Sequence, residues 1–482
     1  FLTPPPYLSG VESGSQEAIL PAFAQAVLHH ATLPWMIVAL VGGALAYAAY
    51  RRGRIPLISS LFEPLITDSN NRVFGKIVDI FAVLVTLFGT ATSLGIGALQ
   101  IRTGTSILTG KPLEGNGIMV VIITILTILF ILSAMSGIKR GIRILSNINM
   151  GLVIGLAVFV LITGPTLYIL DLLPASLLQF FKHFEDMMSL SASQGEPEKE
   201  FVTAWTMLYW AWWISWSPFV GMFIAKISRG RTIREFVFVI MLVPTTLSLF
   251  WYVIFGATAI KTHLDGDGIE IEGSGENVMF DLMRSLPLSS ITTVIVLLAV
   301  VVFFNTAADS ATNVMGSMSQ SGRPIPSTSI SVIWGVALGG ISLSLLLIAG
   351  KDALSGLQSI MVSSSLPFTF ILIGIMVAWG KDLARDPAIL RRKYAHAAIE
   401  RGTHLGLQEH NGDFVFSSSA VPENHGAGAE IENDDPYLHE WYTINASDEY
   451  LAEQAALREE RRAELKDFAQ KKNKDRAAED DE

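Results

Sequence analysis

Residues 204–223 read AWTMLYWAWWISWSPFVGMF and lie inside an uncharged segment long enough to cross a bilayer. A helix turns by roughly 100° per residue, so one stripe about 80° wide holds most of the aromatic rings: Trp205, Tyr209, Trp212, Trp216, Phe219 and Phe223. Trp213 lies just beside this stripe. A wall of aromatic faces without an acidic group attracts organic cations through cation–π interactions. The stretch therefore predicts a membrane helix that binds a permanently charged organic cation.

A membrane-interface belt is the alternative explanation of this stretch, because Trp is enriched at the level of the lipid headgroups. A belt clusters at one end of a span. This stripe runs from Trp205 to Phe223, about 27 Å at 1.5 Å per residue, which is close to the hydrocarbon thickness of a bilayer. Its length favours the binding interpretation. Pro218 removes a backbone donor within the stretch, so we expect it to loosen the helix and free carbonyls for an ion or a polar ligand.

The composition of the whole chain is that of a polytopic membrane protein. Half of its 482 residues are hydrophobic, 16% are charged and the mean hydropathy is +0.45, which excludes an ordinary soluble enzyme. Four predicted spans contain an internal proline, Pro165, Pro218, Pro244 and Pro367, which is tolerated where neighbouring helices satisfy the backbone. The sequence predicts an all-α membrane protein with about nine spans: 33–50, 76–101, 118–138, 150–170, 203–225, 236–260, 288–308, 329–350 and 357–380.

Basic residues gather in short loops that follow the first, third, fifth and ninth spans, such as 51–54, 139–143 and 226–234. The intervening loops are acidic or weakly charged, notably 183–200 and 265–276. Loops rich in Lys and Arg stay on the cytoplasmic side of a membrane. This alternation predicts an external N-terminal end and a cytoplasmic C-terminal tail.

The chain thus divides into an external loop at 1–32, a transmembrane domain at 33–380 and a cytoplasmic tail at 381–482. Residues 175–190 form either an amphipathic helix at the outer membrane interface or an ordinary connector. We expect the tail to contain a basic amphipathic segment, a disordered segment and a solvated helix: 382–405, 410–445 and 447–478.

Polar side chains inside two spans are candidates for ion binding, because lipid makes such groups expensive. Thr86 and Thr90 are four residues apart, so both hydroxyls face one spot. The alternative is that each hydroxyl bonds to the preceding turn of its own helix. The seventh span ends in a polar cluster that suits a sodium ion or, equally, helix packing through small residues: Asn305, Thr306, Asp309 and Ser310.

Several segments of the chain closely resemble the signature of one transporter family. These segments are WAWWISWSPFVGMF followed by IAKISRGRTIREF (210–236), GTATSLGIGALQI (89–101), LSNINM (145–150) and FFNTAADSATNVMGSMSQ (303–320). Together they resemble the betaine–choline–carnitine transporter family, especially its bacterial glycine betaine symporters. The likeness runs from about Trp35 to Lys381, and the tryptophan motif is highly specific.

The resemblance implies a fold of twelve spans, in which two leading helices precede two inverted five-helix repeats of the broken-helix type. Nine spans with an external N-terminus match this fold without its first three helices. We therefore expect an N-terminally truncated chain whose fifth span, the tryptophan-rich one, opens the second repeat. The family also implies a homotrimer in the inner (plasma) membrane with a cytoplasmic C-terminus.

The resemblance further implies which residues bind substrate and sodium. Trp213 maps to the cage that holds the trimethylammonium group, and Trp35 contributes to this cage from the first span. The path beside the cage is implied to be lined by Trp212, Trp216 and Phe223. Two sodium sites are implied, one at Thr86, Thr90 and Phe219, and the other at Phe303 and Thr306.

Three departures from the family pattern change these expectations. The family cage takes two further aromatic residues from the first span, where this chain has His30 and Val38. We therefore expect His30 to contact substrates other than glycine betaine, such as ectoine, choline or a sulfonium solute, unless it is merely an interface residue. The second sodium site normally has a hydroxyl after Thr306, and Ala307 at that place should weaken sodium binding. The tail is acid-rich rather than strongly basic, so the resemblance does not imply that this protein is activated by osmotic stress.

The leading hypothesis is a secondary active transporter that imports a quaternary-ammonium or related compatible solute, of the glycine betaine, choline, carnitine or ectoine class. Sodium would be the coupling ion, and no other cofactor is expected. A sodium-independent exchanger of the carnitine-antiporter type is the alternative, which Ala307 favours and the Thr86/Thr90 pair opposes. A membrane sensor that signals through the tail is a different class of function, although no signalling domain is recognisable there.

The sequence does not predict an enzyme, because it contains no P-loop, dinucleotide fingerprint or nucleophile elbow. The partners that we expect are the small-molecule solute, sodium, the lipid bilayer and further copies of the chain, and not a nucleic acid.

Overall fold

The structure is a computed structural model that describes residues 5–8, 10–67, 69, 72–113, 115–136, 139–266, 269, 275–323, 325–349 and 353–415. Helices make up the secondary structure, and no strand occurs within these ranges. This confirms the predicted all-α class. The helices are α1 Ile19–His30, α2 Thr32–Arg52, α3 Val73–Thr109, α4 Asn116–Ser136, α5 Lys139–Thr163, α6 Thr166–Lys182, α7 Phe184–Ser189, α8 Glu196–Phe201, α9 Leu208–Ile227, α10 Ile233–Leu264, α11 Gly275–Ser285, α12 Ser289–Ser319, α13 Thr328–Ala349, α14 Ala353–Ala384 and α15 Pro387–His410.

Eight stretches of the described chain are long and apolar enough to cross a membrane. They coincide with eight of the nine predicted spans, which confirms a multi-pass membrane protein. The remaining predicted span, 203–225, is also helical in the structure and includes all of α9 up to Ala225. Its Trp, Ser and Pro residues lower its mean hydropathy below that of the other spans, so length and composition alone do not identify it.

The prediction of an external loop for residues 1–32 is wrong for its second half, where a short 3₁₀ turn at Gln16–Ala18 leads into α1. Ile19, Phe23 and Val27 recur every four residues and are buried, so they form the apolar face of a helix that packs on α6 and α10,. Pro21 lies within the first turn of α1, where a missing N–H removes no helical bond. The helix then breaks at Ala31, which has φ −111° and ψ −104°.

The fourth predicted span also ends earlier than expected. Helix α5 ends at Thr163, and Pro165 precedes α6 instead of lying within a span. Helices α6 and α7 cover most of residues 175–190, which confirms a helix there. In α6 the residues Ile169, Leu172 and Phe180 are buried, whereas Leu178 is 69% exposed.

Helix α3 lies at the centre of the packing and contacts α4, α9, α12 and α13. Two glycines on α3 let aromatic rings of other elements approach closely. A Cβ atom on Gly97 would lie 2.4 Å from the ring of Phe304, and one on Gly104 would lie 2.5 Å from the ring of Phe280. Because side chains are absent at these positions, α11 and α12 can both pack closely against α3,.

A second compact unit comprises residues 48–55 and 383–482. In this unit Arg51 Nε pairs with Asp386 Oδ2 at 3.1 Å, just before α15 begins. Helix α15 covers most of the basic segment at 382–405. The predictions of a disordered segment and a solvated helix concern residues that lie almost entirely outside the described ones, which end at 415.

Candidate functional site

The aromatic residues predicted to share a stripe do stack along α9. The helix is entered through a π-helical turn, Val202–Met207, a rare geometry that often marks functional segments. The rings of Trp205 and Tyr209 stack at 6.2 Å between centroids, and those of Tyr209 and Trp212 stack at 6.5 Å. Trp216 and Phe219 form a further pair at 5.3 Å. The stripe therefore forms an aromatic ladder of two groups, Trp205–Tyr209–Trp212 and Trp216–Phe219.

The sequence predicted that Pro218 would loosen the helix. In the structure α9 runs through Pro218 without interruption, from Leu208 to Ile227. A proline lacks the N–H that would bond to the carbonyl four residues earlier, which is that of Ile214. Ser217 supplies the missing donor, since its hydroxyl donates to the Ile214 carbonyl at 2.8 Å. The carbonyl that Pro218 was expected to free for a ligand is therefore already bonded.

The structure brings Trp35 and Trp213 together, as the family resemblance implies. Their rings lie 5.4 Å apart at an angle of 59°, beside an apolar cluster that includes the fully buried Val38. Trp213 Nε1 donates to the backbone carbonyl of His29 at 3.0 Å, which fixes the ring against the end of α1. Phe223 is 51% exposed and lies outside this arrangement.

A group of polar and aromatic side chains, here called the histidine pocket, lies beside the Trp35–Trp213 pair. Its members come from α1, the π-helical turn, α9 and α10: His29, His30, Thr206, Tyr209 and Tyr252. The His29 Nε2 and Thr206 Oγ1 atoms lie 3.2 Å apart, and the His29 ring stacks on Tyr209 at 5.4 Å. The His30 ring lies 4.2 Å from Tyr209 and 4.8 Å from Tyr252.

Several nitrogen atoms in and around the histidine pocket are buried and have no hydrogen-bond partner in the described chain. They are His29 Nδ1, His30 Nε2 and Trp35 Nε1, and Trp216 Nε1 further along α9 is likewise buried and unbonded. Buried polar groups are nearly always bonded, and an exception calls for an explanation such as a ligand or water. The sequence pointed to His30 alone among the two histidines. His29 could have been found as its neighbour just before the helix break, but nothing local signals Tyr252.

The first predicted sodium set lies where α3 packs on α9. Thr86 and Thr90 are buried, at 0% and 3% exposure, and so is Phe219 at 5%. Gly89 lies between the two threonines, and a Cβ atom there would be 2.2 Å from Ser215 Oγ. Ser215 is one helical turn before Phe219, so this close approach brings the threonine-bearing segment of α3 against the middle of α9.

The threonine hydroxyls bond within their own helix, as the alternative interpretation predicts. Thr86 Oγ1 donates to the Ala82 carbonyl at 2.8 Å, and Thr90 Oγ1 donates to the Thr86 carbonyl. A hydroxyl that has donated its only proton still carries acceptor lone pairs. The two threonines can therefore still offer oxygens to a cation.

The second predicted sodium set, on α12, has fewer side-chain hydroxyls than the family pattern. Thr306 Oγ1 lies 2.9 Å from the carbonyls of both Val302 and Phe303, and the side chain of Phe303 is 50% exposed. Ala307, the next residue, has no hydroxyl. This segment offers one side-chain hydroxyl where two were expected from the family pattern.

A family of known transporters matches most of this chain. The family model described as the betaine/carnitine/choline family of transporters matches residues 1–388, which include all of the helices that form the site.

Curated relatives cover most of the chain. The betaine/ectoine transporter LcoP of Corynebacterium glutamicum is 45% identical over 443 residues, which are 92% of this chain and 70% of that protein. The glycine betaine transporter OpuD of Bacillus subtilis is 37% identical over 78% of this chain and 72% of its own length. The ectoine/glycine betaine/proline transporter EctP of Corynebacterium glutamicum is 34% identical over 84% of this chain and 66% of its own length.

Proposed function

Because this chain belongs to the betaine/carnitine/choline family of transporters, we propose that it imports a zwitterionic compatible solute with a cationic nitrogen, coupled to sodium. The observation that carries the proposal is the Trp35–Trp213 pair, which lies against the histidine pocket and its unbonded nitrogens. Aromatic faces attract the cationic end of such a solute. The relatives include a betaine/ectoine transporter and an ectoine/glycine betaine/proline transporter, which supports this class of substrate.

Sodium coupling is the part of the proposal that the first sodium set supports. Thr86 and Thr90 have donated their protons within α3, so only acceptor lone pairs remain on their oxygens,. Such oxygens suit a hard cation and not an anion. We further propose that the protein works as a homotrimer in the inner (plasma) membrane with its C-terminal tail in the cytoplasm, which rests on the family resemblance and on the distribution of Lys and Arg.

A sodium-independent exchanger is the second candidate. The observation that favours it is the incomplete second sodium set, where Ala307 provides no oxygen and Thr306 bonds to carbonyls of its own helix.

Uptake of radiolabelled glycine betaine and ectoine, by cells that express the gene but lack other uptake systems for compatible solutes, tests the proposal. We expect uptake that rises with sodium and not with potassium. The double variant Thr86→Val/Thr90→Val keeps the side-chain shape but removes both oxygens, so half-saturating sodium should rise about tenfold, equivalent to about 1.4 kcal/mol. Thr105→Val is the matched control, since Thr105 makes the same kind of bond on the same helix, to the Ile101 carbonyl.

Each result of this experiment separates the candidates. Equal uptake in sodium and potassium would favour the exchanger. If neither solute enters although the protein is present in the membrane, the transport proposal fails. A sodium response that changes equally in Thr105→Val would remove the first sodium set from the proposal.

A further inference from the structure

The histidine pocket contains two buried imidazole nitrogens that the protein itself leaves unbonded. His29 is only 2% exposed, and its Nδ1 has no partner in the described part of the chain, nor has His30 Nε2. Leaving a buried donor or acceptor unsatisfied is unfavourable, so both atoms should gain a partner when a ligand binds. The question is which chemical group that partner carries.

Irregular backbone lies next to both histidines. The helix breaks at Ala31, directly after His30, and the π-helical turn lies opposite, where Thr206 meets His29. Broken and π-helical segments in membrane proteins occur where the backbone lines a site. A ligand that binds here would contact the two imidazoles and the ring of Tyr209, which packs on both of them.

The walls of the pocket favour the cationic end of a solute over its carboxylate. The rings of Tyr209 and Tyr252 lie against the His30 imidazole, and Trp213 is bonded to the His29 carbonyl. Aromatic rings attract cations and no acidic side chain belongs to the group. The imidazole atoms must then act as acceptors. This role suits the tautomer in which His29 Nε2–H donates to Thr206 Oγ1, because Nδ1 then carries the lone pair.

We propose that His29 Nδ1 and His30 Nε2 accept hydrogen bonds from N–H groups on the cationic nitrogen of the solute. The transporter would therefore select tertiary or secondary ammonium and cyclic amidinium carboxylates over fully methylated ones. This inference rests on the proposed function. A quaternary nitrogen has no N–H and leaves both imidazoles unbonded, and sites built for a hydrogen bond reject analogues that lack the donor.

The test uses two probes that differ by one methyl group, glycine betaine and N,N-dimethylglycine, which carries one N–H. Their inhibition constants are measured against uptake of labelled glycine betaine in cells that express the gene. In the wild type, dimethylglycine should compete about tenfold better than glycine betaine, as one desolvated hydrogen bond allows. His30→Phe keeps a ring but removes the acceptor, so this ratio should fall towards one. His30→Gln restores an acceptor and should keep much of the preference.

His396→Phe is the matched control, because His396 is exposed on α15, and it should leave the ratio unchanged. A wild-type ratio that favours glycine betaine overturns the inference without any variant. So does a ratio that stays the same in both His30→Phe and His29→Phe while each still transports. If the wild type takes up neither glycine betaine nor ectoine, the proposed function itself fails and the inference falls with it.

Discussion

The N-terminal half of α9 and its middle segment differ in how completely their polar groups are bonded. Around the N-terminal half, three ring nitrogens are buried without a partner among the residues described, on His29, His30 and Trp35. In the middle, where α9 crosses α3, the hydroxyls all donate to backbone carbonyls: Thr86, Thr90, Ser93, Ser215 and Ser217. The two regions share α9, but the first is built with α1, α2 and α10 and the second with α3.

This difference indicates that the two regions bind different kinds of ligand. Unbonded nitrogens beside aromatic faces can bind a ligand that has both a cationic surface and N–H donors. Hydroxyls that have already donated their protons can only accept, so they can bind a metal ion but cannot donate to a carboxylate. An organic solute and a coupling ion can therefore bind next to each other without competing for the same atoms.

The largest effect should come from removing the aromatic face of Trp213. Trp213→Leu should raise the apparent KM for glycine betaine roughly 30-fold, because a desolvated cation–π contact contributes about 2 kcal/mol. The loss of the bond from its Nε1 to the His29 carbonyl should add to this effect. Sodium dependence should change much less, since the first sodium set lies in the other region.

Trp334→Leu is the control for this prediction. Trp334 lies on α13, where its Nε1 donates to Ser319 Oγ at 3.0 Å, far along the chain from the Trp35–Trp213 pair. Uptake kinetics at equal membrane expression provide the measurement. A KM that is unchanged in Trp213→Leu, or equally raised in Trp334→Leu, would remove Trp213 from the binding site and erase the contrast between the two regions.

The stacking of aromatic rings along α9 could be predicted from the sequence, because helical spacing is a local property. Trp205, Tyr209 and Trp212 stack as their spacing predicts, although the π-helical turn before them was not foreseen. Local rules also predicted, as one of two interpretations, that the hydroxyls of Thr86 and Thr90 bond to the preceding turn of their helix, and they do. The bond from Ser217 to the Ile214 carbonyl was missed, although both residues are near Pro218.

The parts of the site that were not predicted depend on contacts between residues distant in sequence. Tyr252 joins His30 from a helix that begins two hundred residues later, and no local pattern indicates this contact. The helical half of residues 1–32 was missed for a different reason. The charge alternation of the loops placed these residues outside the first predicted span, whereas burial of Phe23 and Val27 against other helices decides the structure.

The next effect should be on stability, at the point where α3 and α9 cross. Gly89→Ala places a methyl group 2.2 Å from Ser215 Oγ, so one helix must move. Overpacking of this kind typically destabilises a protein by about 1–3 kcal/mol, and the thermal unfolding midpoint in detergent should fall accordingly. Half-saturating sodium should rise as well, because the movement separates the first sodium set from Phe219.

Two further variants sharpen the Gly89 prediction. Gly155→Ala also adds a methyl group within a helix, but nothing lies within 4 Å of it, so stability should hardly change. Ser215→Gly removes the side chain that the new methyl group meets and should restore much of the loss in a double-mutant cycle. Additive effects of Gly89→Ala and Ser215→Gly would contradict the close approach of α3 and α9.

The smallest effect should come from a bonded polar group that belongs to neither region. Thr232 caps α10, and its Oγ1 accepts from the Glu235 N–H at 3.2 Å, the arrangement of a helix N-cap. Thr232→Ala should lower stability by about 1 kcal/mol, while Thr232→Ser should retain most of it. Neither variant should change the KM for solute or for sodium, because this hydroxyl already has its partner and no ligand is needed to satisfy it. If Thr232→Ala altered the KM as strongly as His30→Phe, bonding of polar groups would not distinguish the ligand-binding region from the rest of the protein.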